Sequence, residues 1–296
     1  MKITVFETIV NFGRMIRLSH TVFALPFALA AATFVFKNDL AEFEWLNILY
    51  VVLAFTGMRS FAMAYNRIAD AELDAKNPRT FNREIPAGKL NKKTVILFAV
   101  LSFIFMAVFA YLLTPWALLC SIPAAFIVAG YSHAKRFTYL CHIWLGLAIG
   151  LAPPAVYLAL TLSIPITSLI LMAVLTTYIA GFDILYSLQD MYFDRANGLH
   201  SIPARFGENT ALAVSAGLHF LTVSGLIVLW KIENLSFTYL IGAAVCALIV
   251  SEEHRVVGWG KSLRKDKIPV AFFNYNSAFS ILFFVIILAD WFLPLG

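Results

Sequence analysis

Four aspartates carry the chemistry that this chain can do. Asp70 and Asp74 stand four residues apart, and Asp190 and Asp194 repeat the spacing 120 residues later. Asn66 lies four residues before Asp70. On a helix, residues four apart share a face, with Cβ atoms about 5–6 Å apart. Two carboxylates held that close repel each other, and more strongly where little water screens them. A divalent cation relieves the repulsion. The candidate ligands Asn66, Asp70, Asp74, Asp190 and Asp194 all offer oxygen, which favours a hard ion, Mg²⁺ before Mn²⁺ or Ca²⁺. Mg²⁺ commonly takes one or two carboxylates and completes its shell with water and phosphate oxygens. A single Asp-x-x-x-Asp reads more readily as a solvated acidic face. Two of them, both at the ends of apolar runs and both beside basic residues, favour the metal.

The neighbouring bases fit the same picture. Arg79 and Arg83 follow the first pair, with Lys76 and Asn82 beside them, and Arg195 follows the second. Arginine presents a planar fork of donors that matches phosphate oxygens. Carboxylates and arginines together suit a metal-bound diphosphate, although the arginines also serve as topology signals. Asp183 lies seven residues before Asp190, inside an apolar run. An ionisable residue there is costly and faces a cavity or a partner, so Asp183 is a candidate proton acceptor or an interhelical tie. Arg136 and Arg17 are candidates for an anionic group on a second substrate. The six histidines form no HxxxH or HExxH set and read as interfacial or helix-tying residues, with His200 the one placed to touch diphosphate. Cys120, Cys141 and Cys246 are far apart and read as small core residues.

The elements that position these groups are membrane spans. The 296 residues are 61% hydrophobic and 13% charged, against about 45–50% and about 25% in soluble domains. Backbone groups in lipid must be satisfied within each segment, so the apolar runs are expected to be helices. Nine candidate spans fall at 19–36, 45–65, 94–113, 116–133, 140–160, 165–188, 209–230, 235–251 and 270–292. The expectation is an all-α polytopic bundle forming one domain over 1–296, with two four-helix pseudo-repeats and a ninth helix. Each Asp pair follows an even-numbered span and precedes a basic link containing Ile-Pro-Ala, at residues 85–87 and 202–204. Ile3, Phe6, Ile9, Val10, Met15 and Ile16 suggest an amphipathic helix before the first span. No cleavable leader is evident, since Lys2, Glu7, Arg14 and Arg17 interrupt the N-terminal stretch. Nearly all Lys and Arg residues fall on the side of the Asp pairs, and only Lys37 and Lys231 lie opposite. The positive-inside rule then puts the N-terminus and both pairs in the cytoplasm, with the C-terminus outside. No basic stripe tracks a nucleic-acid backbone, which removes that class. A transporter with a repeat-related site is the rival from another class; sites at one cytoplasmic rim rather than at mid-membrane weigh against it. A CDP-alcohol phosphotransferase would need Asp-Gly-x-x-Ala-Arg, whereas Ala71 and Glu72 follow Asp70.

With Asn66, Asp70, Asp74, Asn77-Pro78-Arg79-Thr80, Arg83, Asp190, Asp194, Gly198 and Ser201 in place, and with Lys135-Arg136-Phe137-Thr138 after the fourth span, the chain resembles the UbiA superfamily of intramembrane aromatic prenyltransferases. Arg67 stands where the family's first motif usually has an Asp, and His200 where many members have Lys or Arg. The segments around residues 62–80, 135–142 and 198–207 look most like the 4-hydroxybenzoate polyprenyltransferase subgroup, which is similar to the menaquinone enzymes of the futalosine route. The resemblance implies Mg²⁺-dependent transfer of a polyprenyl group from polyprenyl diphosphate to a ring carbon of an aromatic hydroxy acid. It implies a place in ubiquinone or menaquinone synthesis at the inner (plasma) membrane. The acceptor would be 4-hydroxybenzoate or, alternatively, 1,4-dihydroxy-6-naphthoate. Chain length and oligomeric state are not implied.

Overall fold

The computed structural model describes residues 5–16 and 23–295. Among them every regular element is helical. In chain order the helices are α1 Val5–Ile16, α2 Leu25–Lys37, α3 Trp45–Ala69, α4 Ala71–Lys76, α5 Lys92–Leu113, α6 Pro115–Ala134, α7 Cys141–Gly150, α8 Ala152–Thr161, α9 Ile166–Ser187, α10 Met191–Ala196, α11 Ile202–Phe206, α12 Glu208–Ile232, α13 Phe237–Val257 and α14 Ile268–Phe292.

Seven stretches are long and apolar enough to cross a membrane: α3, α5, α6, α7 with α8, α9, α12, and α14 with the turn before it. Two of the nine expected spans are not among these seven. The first is α2, which starts at Leu25 with Pro26 in its opening positions and has 13 residues. Proline is well placed there because its missing N–H would have no helical acceptor, but 13 residues reach only about 20 Å. The other is α13, whose last turns carry Glu252, Glu253, His254 and Arg255. The span expected at 140–160 is two helices meeting at Leu151. Pro153 and Pro154 supply no N–H to the carbonyls of the preceding turn, which breaks the ladder there.

The core gathers around α2, which is buried on nearly every side. Phe27 stacks on Phe283 at 4.7 Å, and Tyr178 of α9 stacks on Phe279 of α14 at 4.0 Å. A helix apolar all round shows no amphipathic period and belongs in such a position. The expected amphipathic α1 docks on α3 and α5 through Met15, Ile16 and Phe12, the last stacked on Phe98. Phe6, expected on that face, is exposed. Arg59, inside α3, donates to the Ile16 carbonyl at 2.8 Å, satisfying an acceptor at the end of α1 that has no helical donor.

The two Asp pairs sit on matching backbone. Asp70 (φ −95°, ψ 3°) joins α3 to the six-residue α4, and Asp190 (φ −98°, ψ 0°) immediately precedes the six-residue α10. Each second aspartate then donates its N–H to the first one's carbonyl, at 2.8 Å in both cases. The continuous helix face expected from the spacing is therefore a bend followed by one short helix, twice over.

Close packing fixes the second half of the site. On α7, a Cβ at Gly146 would lie 2.3 Å from the Thr176 carbonyl oxygen, and one at Gly150 would lie 2.3 Å from the Thr176 hydroxyl. Small residues four apart let helix backbones approach in a membrane. One turn before Gly146, the same α7 face carries His142, opposite Asp183 on α9.

Candidate active site

Both bends open onto one cavity of about 150 Å³, lined by Asn66, Asp70 and Asp74 from the first unit and Asp183, Asp190 and Asp194 from the second. The loop after α4 contributes Asn77, Arg79 and Arg83, and the end of α6 contributes Tyr131, Ser132 and Lys135. Residues 113 to 120 apart in the chain thus meet at one place.

Three of the four motif carboxylates are paired with arginine. Arg83 Nη1 donates to both Asp74 oxygens, at 2.7 and 2.8 Å. Arg79 forks onto Asp190, with Nε 2.8 Å from Oδ1 and Nη2 on Oδ2, while Asn77 Nδ2 adds a bond of 3.0 Å. Its Nη1 reaches the Tyr186 hydroxyl at 2.9 Å, and the guanidinium lies 5.1 Å from that ring's centre. Arg136 Nη2 contacts Asp70 Oδ1 at 3.3 Å and the Ala69 carbonyl. Burial alone would raise the Asp190 pKa, but the hydrogen bonds and charge of Arg79 hold it below the usual carboxylate range. Burial also opposes the charge of Arg79, and Asp190 and Tyr186 more than compensate, raising its pKa.

Asp194 differs. It is 4% exposed, and its Oδ1 has no hydrogen-bond partner. Burial raises its pKa, opposed by the charge of Lys135 and a hydrogen bond from Ser201. A buried carboxylate oxygen with nothing bonded to it is a place for a cation, and the carboxylates that share the cavity offer oxygen, which fits Mg²⁺. Among the described residues no three Asp, Glu, His or Cys side chains already form an ion-holding cluster; Arg79 and Arg83 engage the oxygens of Asp190 and Asp74.

The remaining expected site residues fall in several places. Asn66 lines the cavity: Nδ2 reaches Asp70 Oδ2 at 3.1 Å, while Oδ1 accepts from Arg67 Nη1 at 3.2 Å. An amide oxygen has a second lone pair, which leaves room for a cation. Asn82 is exposed, and its carbonyl accepts from Lys89. Arg195 turns away to the carbonyls of Ala204 (2.7 Å) and Pro203, within α11. His200 is exposed, with its backbone bonded to Lys135 and Cys141. These three do not line the cavity. Arg17 lies outside the described residues.

Tyr131 and His142, both at the cavity, drew no site role from the sequence, and Lys135 entered only with the segment 135–138. Tyr131 and Lys135 are four apart at the end of α6, a helical spacing that puts both on the cavity side. His142 is 2% exposed and pairs with Asp183, Nδ1 to Oδ2, at 2.7 Å. The available signal was an intramembrane histidine and an intramembrane aspartate on consecutive antiparallel spans.

A model of the UbiA prenyltransferase family matches residues 23–289. A 4-hydroxybenzoate octaprenyltransferase from Vibrio campbellii is 28% identical over 252 residues, covering 84% of this chain and 86% of that one. One from Methylococcus capsulatus is 35% identical over 161 residues, a match spanning about half of each chain (53% and 54%). The apo structure of a UbiA homolog from Aeropyrum pernix K1 aligns with a TM-score of 0.81 at 30% identity, covering 92% of this chain and 98% of that one. A UbiA homolog from Archaeoglobus fulgidus bound to GPP and Mg²⁺ shares the fold at a TM-score of 0.67 and 19% identity, covering 94% and 99%.

Proposed function

Since the chain belongs to the UbiA prenyltransferase family, we propose that it transfers a polyprenyl group from polyprenyl diphosphate to a ring carbon of 4-hydroxybenzoate, in quinone synthesis. The observation that carries this reading is the pair of bend-and-helix units. Asp70 with Asp74 and Asp190 with Asp194, on matching backbones, share one cavity with Arg79, Arg83 and Lys135. The names of the curated relatives support the acceptor.

In this reading Asn66, Asp70, Asp74, Asp190 and Asp194 would hold Mg²⁺, and the Asn66 amide N–H meets Asp70. Bound there, Mg²⁺ supplies positive charge that stabilises the departing diphosphate. Arg79 and Arg83 exchange carboxylate for phosphate oxygens, which their forked donors match equally well. Lys135 adds a third cation on the same cavity wall. Arg136 keeps Asp70 in place. Tyr131, on the cavity wall, is an aromatic side chain suited to an allylic cation. The allylic C–O bond breaks with its electron pair going to diphosphate, and a ring carbon of the acceptor supplies the pair for the new C–C bond. The ring then loses a proton, for which Asp183 is the base. Apolar helices around the cavity keep water from quenching the cation.

We read 1–296 as one domain with nine spans, counting α2 and α13 with the seven longer stretches. It lies in the plasma (inner) membrane with the N-terminus and cavity cytoplasmic and the C-terminus outside. Purified enzyme given 4-hydroxybenzoate and polyprenyl diphosphates with Mg²⁺ should form the C-prenylated acid, and Asp70→Ala and Asp190→Ala should abolish it in folded protein. Unchanged turnover in both variants would remove the metal assignment; prenylation of 1,4-dihydroxy-6-naphthoate alone would replace the acceptor.

A further inference from the structure

We propose that His142 is a positioning residue, a neutral hydrogen-bond bridge that holds Asp183 toward the aromatic acceptor; this rests on the prenyl-transfer reading above. The imidazole is fixed at both nitrogens. Nδ1 lies 2.7 Å from Asp183 Oδ2, and Nε2 faces the Ile202 N–H at 3.4 Å. That N–H opens α11, where a helix has no carbonyl of its own to offer. A backbone N–H only donates, so Nε2 accepts with its lone pair. The ring proton therefore sits on Nδ1 and is donated to Asp183. An imidazolium would set a second N–H against that of Ile202.

The ring is held in place by what surrounds it. His142 is 2% exposed. Its helix is pressed onto α9 at Gly146 and Gly150, where a Cβ would strike Thr176. Among the described residues only His142 hydrogen-bonds the Asp183 carboxylate, and it uses one oxygen. Asp183 also lines the cavity, with its side chain 19% exposed. One oxygen is thus oriented and the other is left for substrate. When the new C–C bond has formed, the ring C–H proton passes to that second oxygen and its electron pair restores the aromatic ring. The proton leaves to water with the product, and His142 keeps its own proton throughout.

Glutamine can copy this neutral tautomer, since its amide N–H can donate to Asp183 and its carbonyl can accept from Ile202. Leucine can do neither. The test uses full-length protein in lipid nanodiscs, labelled with ¹⁵N-histidine, with His142→Gln identifying the His142 signals. The expected spectrum shows a protonated Nδ1 and an unprotonated Nε2, unchanged between about pH 6 and pH 8, near the ordinary histidine pKa. A doubly protonated ring, or a proton on Nε2, would overturn the proposal. In transfer assays His142→Leu should lose about 100-fold in kcat with KM for the diphosphate unchanged, and His142→Gln should recover to within about threefold of wild type. Leucine matching wild type, or glutamine falling as far as leucine, would also overturn it. Absence of transfer in the wild type would refute the reaction, and the nitrogen spectrum would still decide the bridge.

Discussion

Asp194→Asn should make the protein more stable without divalent cation while removing the stabilisation that Mg²⁺ and inorganic pyrophosphate confer together. Asp194 is 4% exposed and its Oδ1 is unpartnered. A buried acceptor left unsatisfied costs about 1–3 kcal/mol, and more when charged. An amide of the same shape removes the charge but still leaves a polar group to satisfy, so the net gain should be about 1 kcal/mol, or about 2 °C in Tm. The sign follows from linkage. Burial raises the folded-state pKa of Asp194, so the ionised group destabilises the fold above that pKa. The penalty is relieved as pH falls through the folded pKa. A bound cation relieves it at neutral pH. Thermal unfolding in nanodiscs, with and without MgCl₂ and pyrophosphate, reads both effects. An Asn variant less stable than wild type, or one that keeps the full ligand-induced shift, would refute the reasoning.

Arg79→Ala should weaken pyrophosphate binding by about 10-fold to 100-fold in calorimetry, the loss of one or two charge-assisted bonds, with Arg79→Lys recovering only part because it lacks the fork. It should also remove an acid-range transition. The Asp190 pKa is held low, so its contribution to stability is full above the ordinary aspartate pKa and is lost as pH falls through the folded value. Wild type should show that loss in acid denaturation and Arg79→Ala should not. Gly146→Val should cost at least about 1–3 kcal/mol by overpacking against the Thr176 carbonyl, seen as a lower Tm; an unchanged Tm would contradict the close approach of α7 and α9. Arg195→Ala should leave the KM for diphosphate unchanged, because its guanidinium serves the carbonyls of Ala204 and Pro203; a KM raised tenfold would return it to the site.

The helical membrane class and the meeting of the two Asp pairs were legible because they rest on short-range signals. Apolar run length sets the spans, and a spacing of four sets a common side. The bends at Asp70 and Asp190 were not legible, since the same spacing is satisfied by a straight helix and by a bend followed by a short one. Arg195, Asn82 and His200 show the limit of adjacency. A residue next to a motif in sequence can point away from it, and the carbonyls of Pro203 and Ala204 are what draw Arg195 off. His142 was hidden for the opposite reason. Its partner is 41 residues away, and the contact depends on Gly146 and Gly150, which a sequence scan passes over as ordinary small residues.

The most direct measurement of the central claim is mass spectrometry of the products formed by purified protein from 4-hydroxybenzoate, 1,4-dihydroxy-6-naphthoate and mixed-length polyprenyl diphosphates in the presence of Mg²⁺. The account predicts a C-prenylated 4-hydroxybenzoate that vanishes with Asp70→Ala, with Asp190→Ala or on chelation of the metal. No covalent product on either acceptor, with labelled diphosphate or acid instead crossing sealed vesicles, would contradict it.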